Sequence, residues 1–228
     1  MLFKRSPKKE IMDDMSIGGE PLDQALRELD MINAKLGGYS TSLQGIRILA
    51  QHLPQTETLT ILDVGSGGGD LVNIVSSIRA NTKMTALDLN QNACEYAARE
   101  HPSLHVVQGS VLALPFRDRS FDIVHASLFL HHFTESQLNE ILQSLSAVAR
   151  YGIVINDLRR SVFAYIGITL LTRLFSRSNM VKHDGPLSVS KGFTKKELQQ
   201  LCSTLSSVSI SIRRRWAFRW LVCIKKIS

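Results

Sequence analysis

The chain has 228 residues, 44% apolar and 21% charged, a composition that fits a globular domain with a proper core and excludes a disordered or fibrous chain. Its formal net charge of +7 is unevenly spread: residues 151–228 carry 14 basic and 3 acidic side chains, whereas the preceding 150 are slightly acidic. No apolar run reaches the length of a spanning helix, no apolar stretch follows the basic Met1–Glu10 segment, and the three scattered cysteines Cys94, Cys202 and Cys223 make neither a disulfide framework nor a zinc ribbon, so a cytoplasmic protein is expected.

In chain order, the first ten residues read as polar, basic and loose. Leu22, Ala25, Leu26, Leu29, Ile32 and Leu36 recur at helical spacing, and Gly37-Gly38 ends that helix. A second helix is predicted from Thr41 to His52, stopped by Pro54. Leu59–Val64 is a short apolar strand, followed by a glycine-rich turn and an apolar helix from Asp70 to Ile78. Strands at Met84–Leu87, His105–Gln108, Phe121–Ala126 and Gly152–Ile155 alternate with helices at Asn92–Arg99 and Ser136–Ala149. That alternation predicts an α/β fold with a parallel sheet covered on both faces. After a helix at Thr194–Cys202, Val208–Ile212 and Trp220–Ile224 are separated by a short basic turn and read as an antiparallel hairpin.

The chemistry concentrates at Asp63-Val64-Gly65-Ser66-Gly67-Gly68-Gly69-Asp70. Glycines between strand and helix let the backbone turn and approach a ligand closely. A triphosphate loop needs Gly-Lys-Ser/Thr, and no lysine is present. A dinucleotide fingerprint needs a small residue where Asp70 stands. A ligand cationic at one end and adenosine-like at the other suits this acidic turn, and S-adenosylmethionine is such a ligand. Asp88, at the end of the second strand, can accept from both ribose hydroxyls; the same spacing fits NAD.

Ile61–Gly69 resembles motif I of the class I S-adenosylmethionine-dependent methyltransferases, as do Ala86–Leu89, Leu114–Phe116, Ser120–Val124 and Leu130–Phe133 for later blocks of that family. The resemblance covers about Leu59 to Ala149. It implies a Rossmann-like, seven-stranded, mostly parallel sheet closed by the C-terminal antiparallel hairpin, with an N-terminal helical cap over residues 1–58 and a methyltransferase domain over 59–228. It also implies cofactor contacts from Asp63, Gly65, Gly67, Asp88, Leu89, Ser110, Val111 and Ser127. Ser110 stands where the family usually carries an Asp, which replaces a charge-assisted hydrogen bond to the adenine by a neutral one. Leu36–Tyr39, Asp157–Arg160 and His183–Gly185 look like a bacterial subgroup acting on small phenolic or polyketide-derived metabolites, akin to the ubiquinone and menaquinone enzymes.

Methyl transfer to a phenol, whose pKa is about 10, benefits from a base near neutral pH. His183, in a polar loop beside Asp184, and His132, after the fourth strand, are the candidate bases. Asp157 is a further catalytic candidate, and Arg159, Arg160 and Tyr165 are candidate substrate contacts. Val162–Leu171, with Phe163 and Tyr165, would wall an apolar acceptor. Cys94, His101 and His105 lack metal-site spacing, so no metal is expected. The reading is O-methylation of a small aromatic or polyketide-like acceptor, with C-methylation of an activated ring as the close variant and a carboxylate or amine acceptor as the next. An RNA methyltransferase remains the rival, from Arg213, Arg214, Arg215 and Arg219 interleaved with Trp216, Phe218 and Trp220. Against it, Ser127–Leu130 lacks the proline-rich block of base-amine methylation, so no nucleic acid is expected. A non-catalytic cofactor-binding relative is the third reading, and the basic third leaves room for an acidic partner or a peripheral membrane contact.

Overall fold

The computed structural model describes residues 4–51 and 53–227, so the expected helix end at His52 lies outside the described residues. The strands are β1 (Leu59–Val64), β2 (Thr82–Asp88), β3 (His105–Gln108), β4 (Phe121–Ser127), β5 (Ala149–Leu158), β6 (Val208–Arg215) and β7 (Arg219–Lys226). They form one seven-stranded sheet in the order β3-β2-β1-β4-β5-β7-β6. β1 to β5 run parallel, and β7 is antiparallel to both β5 and β6. The reversal of strand order between β1 and β4 puts a crevice at the carboxyl ends of those two strands, where open α/β sheets bind ligands.

Around the sheet lie α1 (Glu20–Lys35), α2 (Gly38–Ala50), α3 (Val72–Val75), α4 (Gln91–Glu100), α5 (Glu135–Val148), α6 (Val162–Phe175), α7 (Asn179–Lys191) and α8 (Lys195–Cys202). Strand periodicity sorts the core into two layers. Leu62, Val124, Ile153 and Val222 pack with Ile141 and Leu145 of α5 and Leu198 of α8. Ile61, Ile123, Val154 and Leu221 pack with Ile46 and Leu49 of α2. The apolar side of α2 therefore shares a core with β1, across the expected boundary at residue 58. Gly45 makes this docking close: a Cβ there would fall 2.4 Å from Val154 Cγ1 and 2.8 Å from Leu221 Cδ1.

Four local expectations are corrected. The helix after the glycine turn is only Val72–Val75, because much of Asp70–Ile78 is closed by i→i+3 bonds such as Asn73 N–H to Asp70 O and Ile78 N–H to Val75 O. β5 is ten residues long, so Asp157 lies inside it rather than after it. The His183-Asp184-Gly185-Pro186 run is not a loop but the middle of α7, where Gly185 lets α6 approach: a Cβ there would be 3.3 Å from both Ile168 and Thr172. From Arg5 onward the N-terminal segment is docked, not loose. Ser6 N–H donates to Ser190 O, and the Arg5 guanidinium donates to the carbonyls of Lys191, His131 and Phe133 at 2.8–2.9 Å. The Asp184 carboxylate accepts from the backbone N–H groups of Ile11 and Met12.

Replacing Gly45 by valine forces side-chain volume between α2 and the sheet. Overpacking of this kind costs about 1–3 kcal/mol, and urea unfolding of the variant should show the midpoint falling accordingly.

Candidate active site

Three glycines of the β1–α3 turn have positive φ: Gly65 (65°), Gly67 (52°) and Gly69 (75°). Each serves a different end. At Gly65 a Cβ would collide with the Phe129 ring at 2.0 Å, and at Gly69 with Leu104 at 2.5 Å, so both are required by packing. At Gly67 a Cβ would meet only Leu26 at 3.4 Å, so this backbone faces space. The space is a cleft of about 1100 Å³. Of the expected cofactor residues, Gly65, Gly67, Asp88, Leu89, Ser110, Val111 and Ser127 line it. Asp88 at the end of β2 steadies the turn, accepting from Gly67 N–H at 2.8 Å and from Asn90 N–H at 3.0 Å. Burial pushes the Asp88 carboxyl up, partly offset by those backbone donors. Ser110 Oγ accepts from Leu112 N–H and caps a short 3-10 turn on the cleft wall.

Asp63 does not line this cleft. Its Oδ1 lies 2.6 Å from His125 Nδ1, whose Nε2 lies 2.8 Å from Ser42 Oγ. Ser42 Oγ in turn accepts from Asn156 Nδ2, and the Arg219 guanidinium reaches Asn156 Oδ1, Asn33 Oδ1 and Leu36 O. Asp63 thus anchors the turn from beneath, through a polar layer that runs across β1, β4 and β5 to the amino end of β7.

A second chamber, of about 630 Å³ and mostly apolar, shares Met12, Leu29, Leu128, His131 and His132 with the cleft. Its wall includes Ala164, Ile168 and Leu171 of α6, while Phe163 and Tyr165 turn outward and line neither cavity. Arg159 lines the chamber with its guanidinium 4.9 Å from the Phe218 ring centroid. Arg160 is buried instead, donating to Gly192 O and pairing with Glu197 at 2.7 Å, so it ties β5 to α8. His183 is half-exposed, has its Nδ1 2.7 Å from Asp184 Oδ1 and lines neither cavity.

At the junction of cleft and chamber sits a cluster of charges. Asp157 and His131 are both buried, with Nδ1 and Oδ1 2.7 Å apart. His131 Nε2 lies 3.6 Å from Glu10 Oε1, and Glu10 Oε1 lies 3.2 Å from Lys191 Nζ. His132, half-buried, has its Nδ1 2.7 Å from Asp13 Oδ1 and its Nε2 3.9 Å from Glu10 Oε2. Burial alone would lower the pKa of His131; the charge and hydrogen bond of Asp157, then those of Glu10, lift it to about 9. Burial alone would raise Glu10, but His131, His132 and Lys191 hold it at about 2. Burial likewise opposes ionisation of Asp13, and the His132 contact outweighs it. Sequence reading missed Glu10, Asp13 and Lys191; each is distant in the chain from the strand ends it serves. Ligand atoms of Glu10, His131 and His132 lie within 4.8 Å of one another, a spacing hidden from a search for close sequence neighbours. Here the Lys191 ammonium and the His131 proton supply counter-charge to the carboxylates.

The aromatic and basic residues of the C-terminal hairpin do not form one surface. Trp220 and Arg219 are buried, while Trp216 is exposed at the turn.

This sheet, with its glycine turn at the switch point, has the fold of the class I S-adenosylmethionine-dependent methyltransferases. Residues 61–152 match the family described as "Methyltransferase domain". The chain is 33% identical over 92 residues to an uncharacterized methyltransferase, sll0829, of Synechocystis, covering 40% of this chain and 42% of that protein. It is 33% identical over 75 residues to a demethylmenaquinone methyltransferase of Chlorobaculum tepidum, covering 33% of this chain and 31% of the relative. These alignments thus span less than half of either relative. The plantazolicin methyltransferase BpumL, solved with S-adenosylhomocysteine, superposes with a TM-score of 0.66 at 14% identity over 91% of this chain and 95% of its own.

The cofactor of this domain class is S-adenosylmethionine, which supplies an electrophilic methyl group on a sulfonium. The cleft fits it. Ser66 Oγ is buried without a partner, Gly67 leaves room for a close approach, and Asp70 and Asp88 bring negative charge to a cationic ligand. Gly67→Val should fill that approach and abolish cofactor binding in calorimetric titration, whereas Ser110→Asp should retain or tighten it; NAD should not bind.

The pH dependence of stability has a definite sign. Folding raises the His131 pKa from the ordinary ~6.5 to about 9. The stabilisation it brings is complete below about pH 6.5 and is lost as pH rises through about 9. Thermal melts from pH 6 to 10 should show a falling Tm. Asp157→Ala strands the imidazolium and should cost about 3–5 kcal/mol near neutrality.

Proposed function

We propose that the protein transfers a methyl group from S-adenosylmethionine to a hydroxyl of a small, largely apolar acceptor of the phenolic or polyketide-like kind. The observation that carries this is the apolar chamber joined to the cofactor cleft at His131 and His132. Apolar lining selects an apolar body, and the few polar groups at the junction orient its reactive end. In this reading Arg159, which lines the chamber, meets a second polar substituent.

His132 is the base in this reading, and its partner explains how. With Nδ1–H donated to Asp13, Nε2 is left as the acceptor for a hydroxyl proton. The orientation is the division of labour known from histidine–carboxylate pairs, in which the carboxylate holds the tautomer and stabilises the imidazolium that forms. His131 is unsuited to that task near neutrality because its pKa of about 9 keeps it protonated. Asp157 is a positioning residue: it is buried beneath His131 and cannot reach an acceptor. This reading does not use His183, which faces outward on α7 and lines neither cavity. The partial likeness to a demethylmenaquinone methyltransferase supports a small-molecule acceptor of that kind.

A panel of phenols, carboxylic acids and amines with radiolabelled cofactor tests the reading. A phenol should be methylated, and transfer only to amines or acids would overturn it. His132→Ala should lower kcat at pH 7 by about 10²–10⁴-fold, with the deficit shrinking toward the phenol pKa of about 10. His183→Ala should leave the pH–rate profile unchanged.

A further inference from the structure

We propose that the outer face of α6 docks on an anionic lipid surface, and that the acceptor enters the apolar chamber from that surface. This deepens the reading of an apolar acceptor and rests on it for the second half only.

α6 is apolar on both sides. Its inner residues wall the chamber. On the outside, Phe163 is 77% exposed, Ile166 50%, Leu170 56% and Leu174 74%, and these positions fall on one helical stripe. Phe175, 79% exposed, extends it. A single exposed leucine needs no explanation, but a stripe of large side chains on one helix marks an interaction surface. No helix among the described residues is long and apolar enough to cross a membrane, so the geometry is that of a helix lying along an interface.

Charge identifies the partner. From Leu158 to His183 the chain carries five basic residues and no acidic one. Arg160 is buried against Glu197, but Arg173 and Arg177 are exposed beside the apolar stripe. A two-fold contact between copies of this chain would set that basic fringe against itself. Anionic headgroups complement it, while the stripe enters the acyl boundary. Trp216, 66% exposed at the β6–β7 turn, lines the same chamber and so marks where the chamber meets the surface. Tryptophan suits the headgroup level of a bilayer. An apolar acceptor dissolved in the membrane would thus enter without crossing water.

The experiment is sedimentation of the full chain with sucrose-loaded vesicles, either phosphatidylcholine alone or mixed with phosphatidylglycerol. The protein should partition at least about tenfold more strongly to the anionic vesicles, with the difference shrinking as salt rises. Phe163→Glu combined with Leu174→Glu should lose that binding while keeping cofactor affinity and turnover of a water-soluble phenol. Absence of binding to anionic vesicles, or a dimer in analytical ultracentrifugation that the same double substitution dissociates, would overturn the proposal. Vesicle binding by a protein that methylates no phenol would leave the docking surface standing and remove the acceptor reading instead.

Discussion

The carboxylate of Asp157, sealed at the carboxyl end of β5, is the charge that the substrate end of the molecule is built to neutralise. An unpaired charge there would be prohibitively costly, so the fold must bring a cation to it. His131 answers, and in being charged it needs a second anion. Glu10 supplies one, and Lys191 then balances Glu10. Each member comes from a different element: β5, the turn after β4, the N-terminal strap and the end of α7. The alternation of signs therefore fastens four pieces of backbone around one point. The strap cannot leave without stranding several charges, which is why a segment of such polar composition is ordered. His132 and Asp13 stand at the open edge of this same cluster, where the charge pattern meets the two cavities.

The opposite face of the sheet is tied by equally continuous bonding. Asp63, His125, Ser42 and Asn156 link the glycine turn to α2, and Arg219 carries the chain on to the end of α1. Between the two networks lies Leu128, a non-glycine residue with φ of 52° whose N–H donates to Asn156 O. Left-handed backbone at such a residue costs about 1–2 kcal/mol. The cost is tolerated where Leu128 forms part of the wall common to cleft and chamber. Strain at a junction of this kind is maintained only by surroundings that leave no alternative, and the two polar networks provide them.

The sheet was legible in the sequence because its central strands β1, β4 and β5 are buried on both faces, and because short strand-forming runs sit between turn residues throughout. Leu59–Val64 and His105–Gln108 emerge with the boundaries expected. The glycine turn was legible for a related reason: local backbone geometry demands particular residues at particular spacing. What resisted reading was determined by contacts distant in the chain. Gly185-Pro186 looks like a break, but the segment is helical, packed closely against α6, with the Asp184 carboxylate bonded to Ile11 and Met12 far off in the chain. Glu10 and Asp13 look like solvated charges in a basic tail, and only tertiary structure gives them partners more than 100 residues away. Tyr165 and His183 have suitable chemistry but point outward, and periodicity over so uniformly apolar a segment does not say which face is inside. Asp63 belongs to the motif and yet supports it from below, a distinction that depends on the parity of β1.

The charge asymmetry of the chain separates into two parts once burial is known. Arg160, Lys191 and Arg219 account for part of the excess in the last third, and all three are buried. Arg160 and Lys191 pair with Glu197, Glu10 and Asp13, so their charge is spent inside the molecule. Arg219 is held by carbonyl and amide oxygens, and burial, only partly offset by Asp157, brings its pKa down to about 10. Net charge counted along the sequence thus mixes internal counter-ions with surface potential, and only the latter acts on a partner. The surface share is not random either. Arg173 and Arg177 sit beside the exposed stripe of α6, whereas Arg213 and Arg214 lie exposed on the edge strand β6. On an edge strand, cations discourage pairing with other strands. The same residue type therefore does three jobs in the last third of the chain: neutralising buried carboxylates, guarding an open sheet edge, and fringing an apolar helix.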